Sequence, residues 1–179
     1  RPFFFENKRA IPCYTHAETA ARLRRNYDYI VGDDPYPGAA NLDVEVVDGP
    51  FEVPSRYDDA APVPVDPVRL RHGDMPVYGY RLGRFAYLTD ANAIPEVSFE
   101  QLQGIDTLVL DGLRPKPHPT HFSFDEAVAA ARRIGARQTY FVHMTHAVRH
   151  AEAEAALPDD IHLAHDGLTL EVPAYDTAT

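Results

Sequence analysis

Four strand-like stretches of this chain stop on a residue that can ligate a metal ion or move a proton. Residues 68–71 run into His72, residues 84–89 into Asp90, residues 107–110 into Asp111 and residues 139–142 into His143. Short runs rich in Val, Leu, Phe and Tyr, bounded by turn formers, read as strands. Side chains at the ends of rigid strands converge on one sheet edge while the loops beyond stay free. Neutral imidazole and carboxylate are the donor set of catalytic zinc and of manganese or iron. Asp90 sits in Leu-Thr-Asp-Ala-Asn, and a carboxylate there can give one oxygen to each of two cations. Each residue alone has an ordinary explanation. A histidine after a strand is commonly packed or solvated, and an aspartate is commonly a turn former or helix cap. The case rests on the set.

Two further groups add to it. The segment from Asp111 to Ser123, Asp-Gly-Leu-Arg-Pro-Lys-Pro-His-Pro-Thr-His-Phe-Ser, is stiffened by prolines and places His118 and His121 just before a helix start. The positive end of a helix dipole favours anions, so a histidine here can touch a phosphate or protonate a leaving group. Packing or capping by His121 and solvation of His118 are the alternatives. In His143-Met-Thr-His146 the spacing resembles a helical ligand pair, but His143 ends a strand. That favours His143 as ligand and His146 as its support or a helix start. His165 lies in a turn and reads as a turn residue or a pocket-mouth residue. His16, His150 and His162 have no companions in sequence and read as surface residues. Nucleophile chemistry is weakly represented: Cys13 lies within an apolar strand and reads as a buried thiol, and neither a Gly-x-Ser-x-Gly elbow nor a phosphate-cradling glycine loop occurs.

The rest of the chain supplies a frame. Residues 11–14 and 42–47 read as strands, and Thr15 with Glu18 forms a capping box for a helix to about Tyr27. Residues 32–38 form a loop. Residues 51–53 pair nearby, and residues 57–67 are a proline-rich surface excursion. Residues 77–82 and 84–89 form a hairpin about Gly83. Ser98 opens a short helix to Leu102, and Ser123 with Glu126 boxes a helix that Gly135 ends. Residues 146–157 read as a helix and residues 161–164 with 168–172 as a last hairpin. A length of 179 residues fits one domain. A net charge of −10 argues against a nucleic-acid surface, which needs a basic patch, but is compatible with a small anionic substrate held by metal. One cysteine implies a reducing compartment, hence a cytoplasmic location, and no apolar run approaches a membrane span. The opening Arg-Pro-Phe-Phe-Phe is not a signal peptide. Its phenylalanines look like core residues whose partners lie upstream, so the chain reads as a fragment.

Taken in order, His72-Gly73, Leu88-Thr89-Asp90-Ala91, Leu110-Asp111-Gly-Leu-Arg, Pro117-His-Pro-Thr-His121-Phe-Ser123, Phe141-Val-His143-Met-Thr-His146 and Asp166-Gly-Leu168 resemble the metallo-β-lactamase superfamily. Within it the likeness is to the phosphoribosyl cyclic phosphodiesterases of the carbon–phosphorus lyase pathway, over nearly the whole chain. The resemblance implies an α/β fold, an αββα sandwich lacking its N-terminal strands here, with residues 1–179 as the C-terminal part of a single domain. It implies two divalent metal ions in the intact protein, zinc, manganese or iron, which would polarise the phosphoryl group and supply hydroxide. It makes His72 a ligand of one metal, Asp90 the bridging carboxylate, His143 a ligand of the other, and His121 a non-ligand that binds or protonates the phosphate ester. Asp111, His118, His146 and His165 would support the ligands or the substrate. The family's His-x-His-x-Asp-His element is absent from these residues, and the opening of the chain resembles the stretch that follows it. The expected activity is hydrolysis of small phosphodiesters or cyclic phosphates by the intact protein, with this fragment inactive. Its missing strands would leave sheet edges open to a homo-oligomer or another covering segment. Other branches, tRNA-processing nucleases and quinone-cofactor biosynthesis proteins, and a non-catalytic binding module are the alternatives.

Overall fold

The computed structural model describes residues 6, 9–32, 36, 38–55 and 61–172. The opening phenylalanines, part of the 32–38 loop and part of the 57–67 excursion lie outside the described residues. Contacts divide the chain into two units, Arg1–Pro50 and Phe51–Thr179.

In the first unit, β1 (Ile11–Thr15) leads through α1 (Ala17–Asn26) and α2 (Asp28–Val31) to β2 (Leu42–Val46). β1 and β2 pair in parallel from Ile11↔Leu42 to Thr15↔Val46, and a parallel pair needs a crossover of this kind. The cap of α1 differs from expectation. Thr15 stays in the strand ladder, accepting from Val47 N at 2.9 Å, and His16 caps the helix instead, its Nδ1 accepting from Thr19 N at 3.4 Å. His16 is therefore a cap and not a solitary surface residue. Cys13 is half-buried rather than buried.

The second unit is built on a seven-stranded sheet in the order β3 (Phe51–Val53), β4 (Val63–His72), β5 (Met75–Leu82), β6 (Phe85–Leu88), β7 (Thr107–Asp111), β8 (Gln138–Val142), β9 (Ile161–Leu163). The β3–β4, β4–β5 and β5–β6 pairs are antiparallel, and the pairs from β6 to β9 are parallel. Two reversals bring β4 back to the direction of β6. The C-terminal ends of β4, β6, β7 and β8 therefore share one sheet edge, the edge where ligands of open α/β sheets bind. β7 is buried at all five residues, as expected of a parallel strand covered on both faces. Leu70, Leu88, Leu102, Leu108, Leu110 and Phe141 are fully buried, each worth about 1.5–3 kcal/mol of transfer free energy.

Helices α3 (Glu96–Gln101), α4 (Phe124–Ile134) and α5 (His150–Glu154) complete the unit. α4 carries the expected capping box: Ser123 Oγ accepts from Glu126 N at 3.4 Å, and the Glu126 carboxylate accepts from Ser123 N at 2.8 Å. The Ser123 hydroxyl, which donates to the same carboxylate at 2.6 Å, and then the bond from Ser123 N hold the Glu126 carboxyl below its usual range. Gly135 ends the helix in the left-handed region at φ 75°.

Four expectations are corrected. β4 begins at Val63, inside the supposed excursion, and holds Pro64 and Pro67. β3 covers only residues 63–65 of β4 and β5 only 66–72, so each proline lies where one side of the strand is unpaired and its missing N–H costs little. α3 starts after Pro95, and Ser98 lies within it, buried, its Oγ donating to Arg69 O at 2.7 Å and tying α3 to β4. Of residues 146–157 only 150–154 are α-helical; the segment before them is held to the loop after β7, Thr145 N donating to Leu113 O at 3.0 Å. Residues 168–172 form no strand. The outer edge of β9 is already engaged, Leu163 N donating to Glu154 Oε2 at 2.6 Å. The same carboxylate meets His162 Nδ1 at 3.0 Å, so His162 has a companion after all.

Candidate metal centre

The shared edge collects the polar strand ends. His72 closes β4, Asp90 follows β6 by two residues, Asp111 closes β7 and His143 follows β8 directly. The loop after β7 brings His118 and His121 across them. It is held to its neighbours by backbone bonds: Gly112 N to Val142 O at 3.0 Å, Leu113 N to Phe122 O at 2.9 Å and Phe122 N to Ala91 O at 2.9 Å. Gly112 is required for this course, since a Cβ there would stand 2.8 Å from the Phe141 ring.

The side chains meet at ligand spacing. His72 Nε2 and His121 Nε2 are 3.2 Å apart, and His143 Nε2 is 3.5 Å from Asp90 Oδ1. One donor atom each from His72, Asp90 and His121 falls within a mutual 4.8 Å. Two donors about 2 Å from one tetrahedral cation stand roughly 3.3 Å apart, so imidazole and carboxylate groups so placed fit a divalent ion. The His121 ring lies between those of His72 and His143, with centroids 4.7 Å from each, and 5.1 Å from that of His118.

Two of these residues are strained. Among the described non-glycine residues, positive φ occurs at Asp90 (54°) and His143 (69°). The left-handed region costs an L-residue about 1–2 kcal/mol. Such strain gathers where side-chain direction matters more than backbone ease.

His121 is held from behind. Its Nδ1 lies 2.7 Å from Asp111 Oδ2, an oxygen that also accepts from Ala91 N at 2.9 Å. Asp111 is fully buried, and among the described residues its Oδ1 has no hydrogen-bond partner. Burial pushes the Asp111 carboxyl above its usual range, against the pull of the bonds from His121 and Ala91. His118, whose Nδ1 accepts from Thr120 N at 3.3 Å, is held below the usual histidine range by desolvation and then by the Arg114 charge.

His72, Asp90, Asp111, His118, His121 and His143 thus come together. His146 lies instead along a neighbouring cavity with Arg114 and Arg149. His165 stands beside His150, ring centroids 6.3 Å apart, with its Nδ1 3.1 Å from Asp166 O. One contributor escaped the sequence reading. Asn92 Oδ1 accepts from Gly73 N at 2.8 Å and its Nδ2 donates to Pro119 O at 3.0 Å. One amide therefore ties the residue after His72 to the residue two before His121. Its place two residues after Asp90, in a turn, was the available signal.

The family model for the beta-lactamase superfamily domain matches residues 1–144. The chain is 37% identical to a crystal structure of a new diphosphatase from the PhnP family, with a TM-score of 0.77, covering 93% of this chain and 60% of that one. It is 33% identical over 164 residues to an octanoyltransferase of Porphyromonas gingivalis strain W83, covering 89% of this chain and 32% of that protein. Zn(2+)-bound PqqB from Methylobacterium extorquens shares the fold at 17% identity and a TM-score of 0.64, over 92% of this chain and 66% of that one. The chain spans about a third of the curated relative's length. On the family match and the shared fold, the chain belongs to the beta-lactamase superfamily and has the mixed α/β metallo-β-lactamase fold.

Proposed function

We propose that these residues form the C-terminal part of one metallo-β-lactamase-fold domain in a cytoplasmic, metal-dependent hydrolase of small phosphodiesters or cyclic phosphates. The observation that carries this reading is the convergence of four side chains on one sheet edge: donor atoms of His72, Asp90 and His121 fall within 4.8 Å of one another, and His143 Nε2 lies 3.5 Å from Asp90 Oδ1. The likeness to a diphosphatase supports chemistry at phosphorus.

In this reading His72, His143 and the Asp90 carboxylate would hold the divalent cations. Zinc, manganese or iron bound there would polarise the phosphoryl group and supply hydroxide at neutral pH. His121 acts on the leaving oxygen. Asp111 takes the Nδ1–H bond, fixing the ring so that Nε2 faces the cluster. With both nitrogens protonated, the imidazolium is stabilised by Asp111 and donates its Nε2 proton as the ester bond breaks. The burial of Asp111 and His121 keeps water from competing for that bond. The 179 residues alone lack the His-x-His-x-Asp-His ligands, so weak metal binding and no turnover are expected of them.

The test is metal analysis of the complete gene product together with an assay against cyclic phosphodiesters. Divalent metal with phosphodiesterase turnover is expected. A metal-loaded protein that leaves every phosphate ester intact overturns the reading.

A further inference from the structure

A cavity of about 740 Å³ opens beside the metal centre, between the loop after β7 and α5. Its size lies within the range of small-molecule sites. Its walls are of two kinds. Val148 and Ala156 give it an apolar floor, while Arg114, Lys116 and Arg149 line it against one carboxylate, Glu152. Three cations to one anion reverse the balance of a chain with 27 acidic and 17 basic residues. Arg114 is fixed in place, its guanidinium donating to Lys116 O at 3.2 Å and Pro117 O at 3.1 Å. Arg149 pairs with Glu152 at 3.0 Å, which leaves the charges of Arg114 and Lys116 unmatched by a carboxylate in the lining.

The cavity adjoins the cluster through the chain itself. Thr145, in its wall, is two residues from His143, and two residues span at most about 7 Å. Arg114 and Lys116 belong to the same stiff loop as His118 and His121. The far end of a phosphodiester held at the centre is therefore the candidate occupant of this neighbouring cavity.

We propose that the cavity seats that far end, and that the substrate carries there an anionic group on an apolar body. This rests on the phosphodiesterase reading for its link to catalysis, while the binding site itself does not. Lys116 and Arg114, with the His146 ring on the wall, are the donors available to the bound anion.

Phenyl phosphate is the probe, followed by amide NMR shifts of the full chain, with inorganic phosphate and phenol as the two halves. Shifts at Arg114, Lys116 and residues 145–149, and tighter binding of phenyl phosphate than of either half, are expected. The pair Lys116→Ala and Arg149→Ala should weaken phenyl phosphate about three- to tenfold and leave phenol alone. Ala156→Phe, which fills the cavity, should weaken both. In the metal-loaded gene product the same pair should raise KM for an aryl phosphodiester bearing a ring carboxylate, with kcat unchanged and the unsubstituted ester unaffected. Inorganic phosphate binding as tightly as phenyl phosphate, or shifts elsewhere, overturns the proposal. Binding in the cavity without any hydrolysis sinks only the catalytic reading. Hydrolysis with a KM indifferent to the charge pair sinks only the cavity.

Discussion

Asp90 and Asp111 end neighbouring strands and live under opposite conditions. Asp111 completes β7 inside the sheet, wholly buried, with one oxygen shared between Ala91 N and His121 Nδ1. Asp90 lies two residues beyond β6 with its side chain 54% exposed, on a left-handed backbone, facing His143. The same functional group is spent on different tasks. A buried carboxylate with committed hydrogen bonds orients another side chain, and an exposed one turned outward at a cost in backbone energy is free to bind. The neighbouring histidines divide in the same way, His121 braced and nearly buried, His143 strained and open.

If that division is right, the largest effect in the complete gene product belongs to the exposed carboxylate. On the proposed function, Asp90→Ala should empty the site of metal, because that carboxylate would serve both cations, and turnover should fall to background. Retention of both metals by elemental analysis would break the comparison at its root. His121→Ala comes next. Turnover should drop about 10²–10⁴-fold, the worth of a positioned general acid, with metal content held. The close approach of His121 Nε2 to His72 Nε2 makes this a demanding test, since metal lost in parallel would make His121 a ligand. Asp111→Asn should cost less, about 10–100-fold, as outer partners of site residues do. The amide keeps the shape but can turn a donor toward Nδ1, which favours the wrong tautomer of His121. The pH profile of kcat should shift along with it, whereas simple loss of packing would leave the profile in place.

The strand ends were legible because strand-like runs stopping on His72, Asp90, Asp111 and His143 combine a local pattern with a chemical one. Their convergence was not in any single run. It follows from two antiparallel reversals that return β4 to the direction of β6, a property of sheet order. Errors gathered where tertiary bonds overrode local signals. Ser98 looked like a helix cap but spends its hydroxyl on Arg69 O, and the alanine-rich run after His146 is helical only from His150. Asn92 was missed because its two partners, Gly73 and Pro119, are remote in sequence and meet only in the fold.

The smallest effect sharpens the contrast between the strained pair and the relaxed carboxylate. His143→Gly and His143→Ala both remove the imidazole, so their difference in stability isolates the backbone. At φ 69° glycine escapes the clash that a Cβ suffers, and the glycine variant should be the more stable by about 1 kcal/mol. Asp90, at φ 54°, should behave alike. At Asp111, inside an ordinary strand, the order should reverse, because glycine there only adds freedom to the unfolded chain, a cost of about 0.5–1 kcal/mol. Denaturant midpoints of the six variants measure all three differences. If the alanine variants win at 143 and 90 as they do at 111, the left-handed turns are not strained, and the case that backbone energy is spent there to aim two ligands is lost.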